Sequence, residues 1–159
     1  MSPAKGGGTQ GKRGDLEFGT IAMLPSIAGQ RHGDKVAIED GDTRITYRRL
    51  DLLSRRAQQS LMAAGTMPGD KVAIWAPNCW RWIVAALAIL RCGATLVPIN
   101  TRYKGDEAAF ILAKTNARIL FTVRDFLGCD YPELLRGTTP AVDPTVVLLE
   151  GNPEGEELS

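Results

Sequence analysis

The sequence predicts an α/β protein: a parallel sheet flanked by helices, with a β-hairpin in front of it. Three observations carry this expectation. Between Lys71 and Val123, strand-like and helix-like segments alternate as β-α-β-α-β with short connections, which places consecutive strands parallel with each return made over a helix. Thr95–Ile99 and Arg118–Val123 are apolar on both faces or nearly so, as in sheets covered by two layers. Ahead of them, Lys35-Val-Ala-Ile-Glu39 alternates polar and apolar residues, Asp40-Gly41-Asp42 signals a turn, and Arg44-Ile-Thr46 returns; together these predict the hairpin.

Each element follows from local chemistry. Residues 1–17 are small, polar and Gly-rich, and are expected to be a flexible tail. Ile21-Ala-Met-Leu24 precedes Pro25, and proline's fixed φ suits the first turn of a short helix there. Thr46 can cap a longer helix. Tyr47, Leu50, Leu53, Ala57, Leu61 and Ala64 follow its 3-and-4 spacing, Arg48, Arg49, Arg55, Arg56 and Gln59 fill the other face, and Gly65 ends it. After the Met67–Asp70 turn comes a strand at Lys71–Trp75. Asn78 is expected to cap a helix from Cys79 to Cys92, with Gly93 past its end. Thr95–Ile99 is the next strand. Gly105-Asp106-Glu107 opens a third helix, with acids at its positive end, Lys114 near its negative end and Asn116 to close it. Arg118–Val123 and, after a loop, Thr145–Leu149 complete the strands. The domain expectation is therefore a tail at 1–17, one α/β unit at 18–149 and an acidic tail at 150–159.

The helix at 79–92 has a middle, Trp82 to Leu90, that is apolar on all sides. Such a helix needs cover on more than one face. Few residues remain as cover, so an exposed apolar patch is expected around Trp80, Ile83, Leu87 and the neighbouring sheet, through which the chain alone would self-associate.

Composition narrows the function classes. The chain has 159 residues, 44% of them apolar, enough for one core. Lys plus Arg is 19 and Asp plus Glu is 18, which argues against a globally basic nucleic-acid binder. The charge is uneven: residues 1–124 hold 18 basic and 10 acidic side chains, and 125–159 hold one Arg and eight acids. That pattern reads as a solvated acidic end beside a mildly basic domain. The longest purely apolar run has nine residues, about half of the roughly 20 that span a bilayer. Cys79, Cys92 and Cys129 form no C-x-x-C, which fits a reducing compartment. The N-terminal residues contain no apolar signal region, so a cytoplasmic location is expected. One histidine, His32, excludes metal sites built on paired His.

Several chemical-looking signals are local architecture. Gly6 to Gly11-Lys12 matches G-x4-G-K, but Arg13 stands where a phosphate-binding loop places Ser or Thr, and no strand precedes it. Gly33-Asp-Lys-Val-Ala-Ile38 recurs as Gly69-Asp-Lys-Val-Ala-Ile74; the copies diverge at once and read as two similar turn-to-strand entries. His32 reads as a surface loop residue, Cys79 and Cys92 as buried structural thiols, and Gly137-Thr-Thr-Pro140 as a plain loop.

Three segments in order carry a resemblance: Ile45-Thr46-Tyr47-Arg48-Arg49-Leu50, Gly69 through Asn78, and Leu90-Arg91-Cys92-Gly93-Ala94-Thr95-Leu96-Val97-Pro98-Ile99-Asn100. Together they resemble the adenylate-forming (AMP-binding) enzymes, and Thr101-Arg102-Tyr103-Lys104-Gly105-Asp106-Glu107 is most similar to the acyl-CoA synthetase branch. The chain departs at Arg49, where many members carry an acid. The resemblance implies the N-terminal part of the acyl-CoA synthetase large domain. It implies that a complete enzyme converts a carboxylic acid, ATP and CoA to acyl-CoA, AMP and pyrophosphate through an acyl-adenylate, with ATP, Mg2+ and CoA as its cofactors. The family's Ser/Thr/Gly-rich phosphate loop with its Lys, its Tyr-Gly-x-Thr-Glu and its Thr-Gly-Asp are not in these 159 residues. The resemblance therefore implies no catalytic residue here, a chain inactive alone that holds none of these cofactors tightly, and a partner in the missing C-terminal portion of the ligase. It carries over one site residue: Arg102, as a contact to the CoA phosphate. The competing reading is a short non-catalytic α/β binding or interaction module.

Overall fold

The computed structural model describes residues 19–150. Two sheets form. The first is the expected hairpin, β1 (Val36–Asp40) paired antiparallel with β2 (Thr43–Thr46). The second is parallel, with β3 (Lys71–Trp75), β4 (Thr95–Pro98), β5 (Ile119–Thr122) and β6 (Thr145–Leu148) in the order β4-β3-β5-β6. The connecting helices are α1 (Leu24–His32), α2 (Tyr47–Ala63), α3 (Trp80–Arg91), α4 (Gly105–Thr115) and a short α5 (Tyr131–Leu134). The tail expected at 1–17, with its Gly6–Lys12 motif, lies outside the described residues, as do residues 151–159 of the expected acidic tail.

The strand period of two sorts β3 between two cores. Val72 and Ile74 face α2 and α3, joined there by Phe121, Leu61, Ala85 and Ile89. Ala73 and Trp75 face α4 and α5, with Leu120, Ala108, Leu112 and Tyr131. Val72, Ala73, Ile74 and Trp75 are all buried, which explains why this strand has no polar alternation.

Most helix ends follow their sequence signals. The Thr46 hydroxyl accepts the Arg49 N–H at 3.1 Å, Pro25 sits in the first turn of α1, and Asn116 closes α4 with φ +53°. The start of α3 is a correction. Its N-cap is Cys79, not Asn78, and Cys79 makes no side-chain cap. The first free N–H, that of Trp80, donates instead to the Asp40 carboxylate at 2.9 Å, so the hairpin turn caps a helix 40 residues away. A cap at this distance has no local sequence pattern. The helix α5 is a second correction, since it occupies the segment expected to be a loop.

The predicted apolar patch is corrected as well. Trp80 and Leu87 are buried, packed with Val84 against Ile45 and Leu50, with Ala37, Ile38 and Leu53 around them. The hairpin and α2 cover this side of α3, and of the three residues named only Ile83 is exposed.

Three helices meet at a polar clamp. Asp51 of α2 accepts from Ser26 of α1 at 3.0 Å, from Arg55 at 3.1 Å and from Arg91 of α3. The Ser26 hydroxyl also accepts from Arg55 and Arg91. Gln58 adds a second α2–α3 tie through the Arg91 carbonyl at 3.0 Å.

Candidate functional site

Open α/β sheets bind ligands outside the C-terminal ends of their strands. There, Ala76, Pro77 and Asn78 leave β3, and Ile99, Asn100 and Thr101 leave β4. With Trp82 of α3 and Phe126, they line an open groove of about 520 Å³. Its polar groups, those of Asn78, Asn100 and Thr101, are neutral. Such a lining can stack against a ring and exchange hydrogen bonds, but it holds no group to move a proton or act as a strong nucleophile. A larger concavity of 680 Å³ lies at the opposite end of the strands, among Lys71, Asn116 and Arg118.

Buried aromatic side chains hold the groove floor in place. Trp75, at the end of β3, stacks on Tyr131 with ring centroids 4.3 Å apart and planes 7° apart. Its indole N–H donates to the Asn100 carbonyl at 3.1 Å. The Tyr131 hydroxyl donates to the Thr101 carbonyl at 2.9 Å. Phe126 meets Tyr131 edge-on at 6.3 Å. Burial pushes the Tyr131 phenol up from its ordinary value, so it stays a donor through neutral pH. The β4–α4 loop is thus pinned at two successive carbonyls by buried aromatics. Sequence reasoning missed Trp75 and Tyr131 in this role; the available signal was an indole and a phenol on otherwise apolar segments, each needing a polar partner.

Arg102 is the next residue after the pinned pair. Its backbone N–H donates to the Asn100 side-chain oxygen at 2.9 Å, closing a turn, and the residue is exposed. It does not line the groove but stands beside Thr101 at its rim. Farther along, the Lys104 N–H donates to the Glu107 carboxylate at 2.8 Å, which fixes the loop's exit into α4. His32 is the last residue of α1, half-buried, with its ring 4.9 Å from that of Tyr47. Cys92 is buried, its thiol pushed up by that burial, while Cys79 is half-buried. Among the described residues, no three His, Cys, Asp or Glu side chains come together as metal ligands. The groove lining of Asn78, Asn100 and Thr101 offers no carboxylate to Mg2+. Nor is any described helix long and apolar enough to cross a membrane.

The AMP-binding enzyme family model matches residues 26–158, and the chain belongs to that family. It is 44% identical over 121 residues to the 3-[(3aS,4S,7aS)-7a-methyl-1,5-dioxo-octahydro-1H-inden-4-yl]propanoyl:CoA ligase of Rhodococcus jostii, covering 76% of this chain and 24% of that protein. A Mycobacterium tuberculosis ligase of the same name is 45% identical over 97 residues, covering 61% of this chain and 19% of the relative. The chain thus spans about a quarter or less of the length of these curated relatives. Among solved structures, Mycobacterium tuberculosis fatty acyl CoA synthetase superposes with a TM-score of 0.72 at 23% identity, over 80% of this chain and 26% of that one; it shares the fold.

Proposed function

We propose that this chain is the N-terminal part of an ATP-dependent acyl-CoA synthetase. In the complete enzyme a carboxylate displaces pyrophosphate from ATP to form an acyl-adenylate, and the CoA thiol then displaces AMP. The observation that carries this reading is the 44% identity to a CoA ligase of which the chain spans 24%. The neutral groove supports it: these residues offer shape and hydrogen bonds, and the groups that hold ATP and Mg2+ belong to the rest of the enzyme. On this reading the unit at 18–149 is an incomplete ligase subdomain between two tails. The isolated chain is catalytically incompetent, and none of ATP, Mg2+ or CoA binds it tightly. We place the enzyme in cytoplasmic fatty acid metabolism.

Within it, Arg102 contacts a phosphate of CoA. The loop that carries it is pinned by Trp75 and Tyr131, and a guanidinium pairs with phosphate through two parallel hydrogen bonds. Two measurements test the proposal. Purified 1–159 should show no acid-dependent ATP–pyrophosphate exchange above a vector-only preparation; exchange would sink the fragment reading. In a complete enzyme carrying these residues, Arg102→Ala should raise KM for CoA and leave adenylation unchanged. Unaltered CoA kinetics would remove Arg102 from the site.

A further inference from the structure

Every residue from Ile99 to Lys104 has a backbone group tied down. The Ile99 N–H donates to the Ile74 carbonyl at 2.9 Å. The Asn100 carbonyl accepts the Trp75 indole N–H at 3.1 Å and the Tyr103 N–H at 3.0 Å. The Arg102 N–H donates to the Asn100 side chain at 2.9 Å, and the Lys104 N–H to the Glu107 carboxylate at 2.8 Å. Thr101 has no such neighbour in the chain. Its carbonyl is held by the Tyr131 hydroxyl at 2.9 Å, across 30 residues of sequence.

That hydroxyl is itself fixed in place. Tyr131 is buried, stacked on the buried Trp75 and met edge-on by Phe126. It opens α5, whose first turn is held by the Asp130 carboxylate accepting the Glu133 N–H at 3.0 Å. A buried phenol needs a polar partner, but any carbonyl would satisfy it. Here two stacked aromatic donors take successive carbonyls of one turn, and the residue that follows them, Arg102, is exposed. Among the described residues, no acidic side chain pairs with the Arg102 guanidinium. The interior of the protein fixes the Arg102 backbone and leaves its charge open to a ligand.

We propose that Tyr131, backed by Trp75, is a positioning residue for the CoA step: through the Thr101 carbonyl it sets the direction in which Arg102 leaves the turn. This rests on the reading of Arg102 as a contact to a CoA phosphate. Two parallel hydrogen bonds from a guanidinium to a phosphate demand alignment. A turn ordered when the chain folds has little ordering left to lose when CoA binds, so more of the contact appears as affinity. In this assignment Tyr131 contacts no substrate and acts only through the turn.

The test uses a complete ligase carrying these residues and follows both half-reactions. Tyr131→Phe keeps the ring stack and removes the hydroxyl. It should raise KM for CoA roughly 2–10-fold, the range that one lost hydrogen bond covers. ATP–pyrophosphate exchange, which runs without CoA, should keep its rate and its KM for ATP. Added to Arg102→Ala, Tyr131→Phe should raise KM for CoA no further, because without the guanidinium there is nothing left to position. In the 159-residue chain, NMR should show the backbone order parameter of Arg102 falling in Tyr131→Phe while those of β3 and β5 hold, which also shows that the variant is folded. An unchanged KM for CoA overturns the proposal. So does an equal loss in both half-reactions, which would make the effect general structure, and so do additive effects in the double variant or an unaltered Arg102 order parameter. Arg102→Ala by itself separates the two readings. If it leaves KM for CoA unchanged, the phosphate contact falls and the positioning role with it. If it raises KM while Tyr131→Phe does not, the contact stands and only Tyr131 is removed.

Discussion

Asp51 shows what one side chain does in this fold. Burial raises the cost of its charge, and hydrogen bonds from Ser26, Arg55 and Arg91, with the Arg91 charge, outweigh it and hold the carboxyl below its ordinary value of 3.8. A depressed carboxyl contributes stability that is complete above pH 3.8 and is lost as pH falls through the lower, folded value. The Arg91 side chain is only 6% exposed, so Asp51→Ala strands a buried cation and should cost roughly 3–5 kcal/mol. Urea unfolding at neutral pH measures that loss. Repeating it below pH 3.8 should show the wild-type advantage over Asp51→Asn shrinking; an advantage constant with pH would exclude the titration. Gly105 is the second such residue. A Cβ there would sit 1.7 Å from the Leu134 carbonyl oxygen, closer than backbone atoms can come. Gly105→Ala should cost about 1–3 kcal/mol by overpacking α4 against α5, despite alanine's better helix propensity. A stabilised variant in thermal melts would refute that contact. The sequence marked Gly105 as a helix opening; the contact with Leu134 was invisible because it joins residues 29 apart.

At the scale of elements, capping chemistry was legible wherever the partners are neighbours in the chain. Thr46 with Arg49 and Asn116 at the end of α4 are such cases. α5 could have been read too: Asp130-Tyr-Pro-Glu133 is a cap residue, a first-turn proline and a third-position acid, and the Asp130 carboxylate accepts the Glu133 N–H at 3.0 Å. The α3 cap could not, because Asp40 reaches Trp80 only after the hairpin folds over the helix. Asp40→Ala should destabilise the chain by about 0.5–2 kcal/mol, the usual cost of a lost cap. Asp40→Asn, which keeps an acceptor, should recover part of it. Equal losses would assign the effect to charge rather than to the hydrogen bond. The same hairpin explains why the apolar patch expected on α3 is covered. Periodicity told that α3 needed cover on several faces; it could not tell that Ile38 and Ile45 supply it.

At the scale of the molecule, the hexapeptide Gly-Asp-Lys-Val-Ala-Ile is an internal experiment, since it occurs twice. Both copies enter a strand after a turn. One lies in the two-stranded hairpin, where Val36 is 42% exposed; the other is the centre of the parallel sheet, where Val72 is 1% exposed and Ile74 fully buried. Ile74→Ala should therefore cost about 2–5 kcal/mol, as core truncations do, and Ile38→Ala distinctly less. Comparable losses in denaturant titrations would contradict the burial difference. Turn chemistry, strand alternation, helix spacing and near-neighbour caps are properties of a few adjacent residues, so local residue order alone carried every element but α5, the parallel sheet with a hairpin before it, and the family resemblance. The features that needed the folded chain join residues far apart in sequence: the stack of Trp75 on Tyr131 that pins the groove loop, the Asp40 cap, the Asp51 clamp, and which of two identical hexapeptides is core. A strand's own residues state that it will be extended. How much water it loses depends on what the rest of the chain lays over it, and that burial sets its contribution to stability.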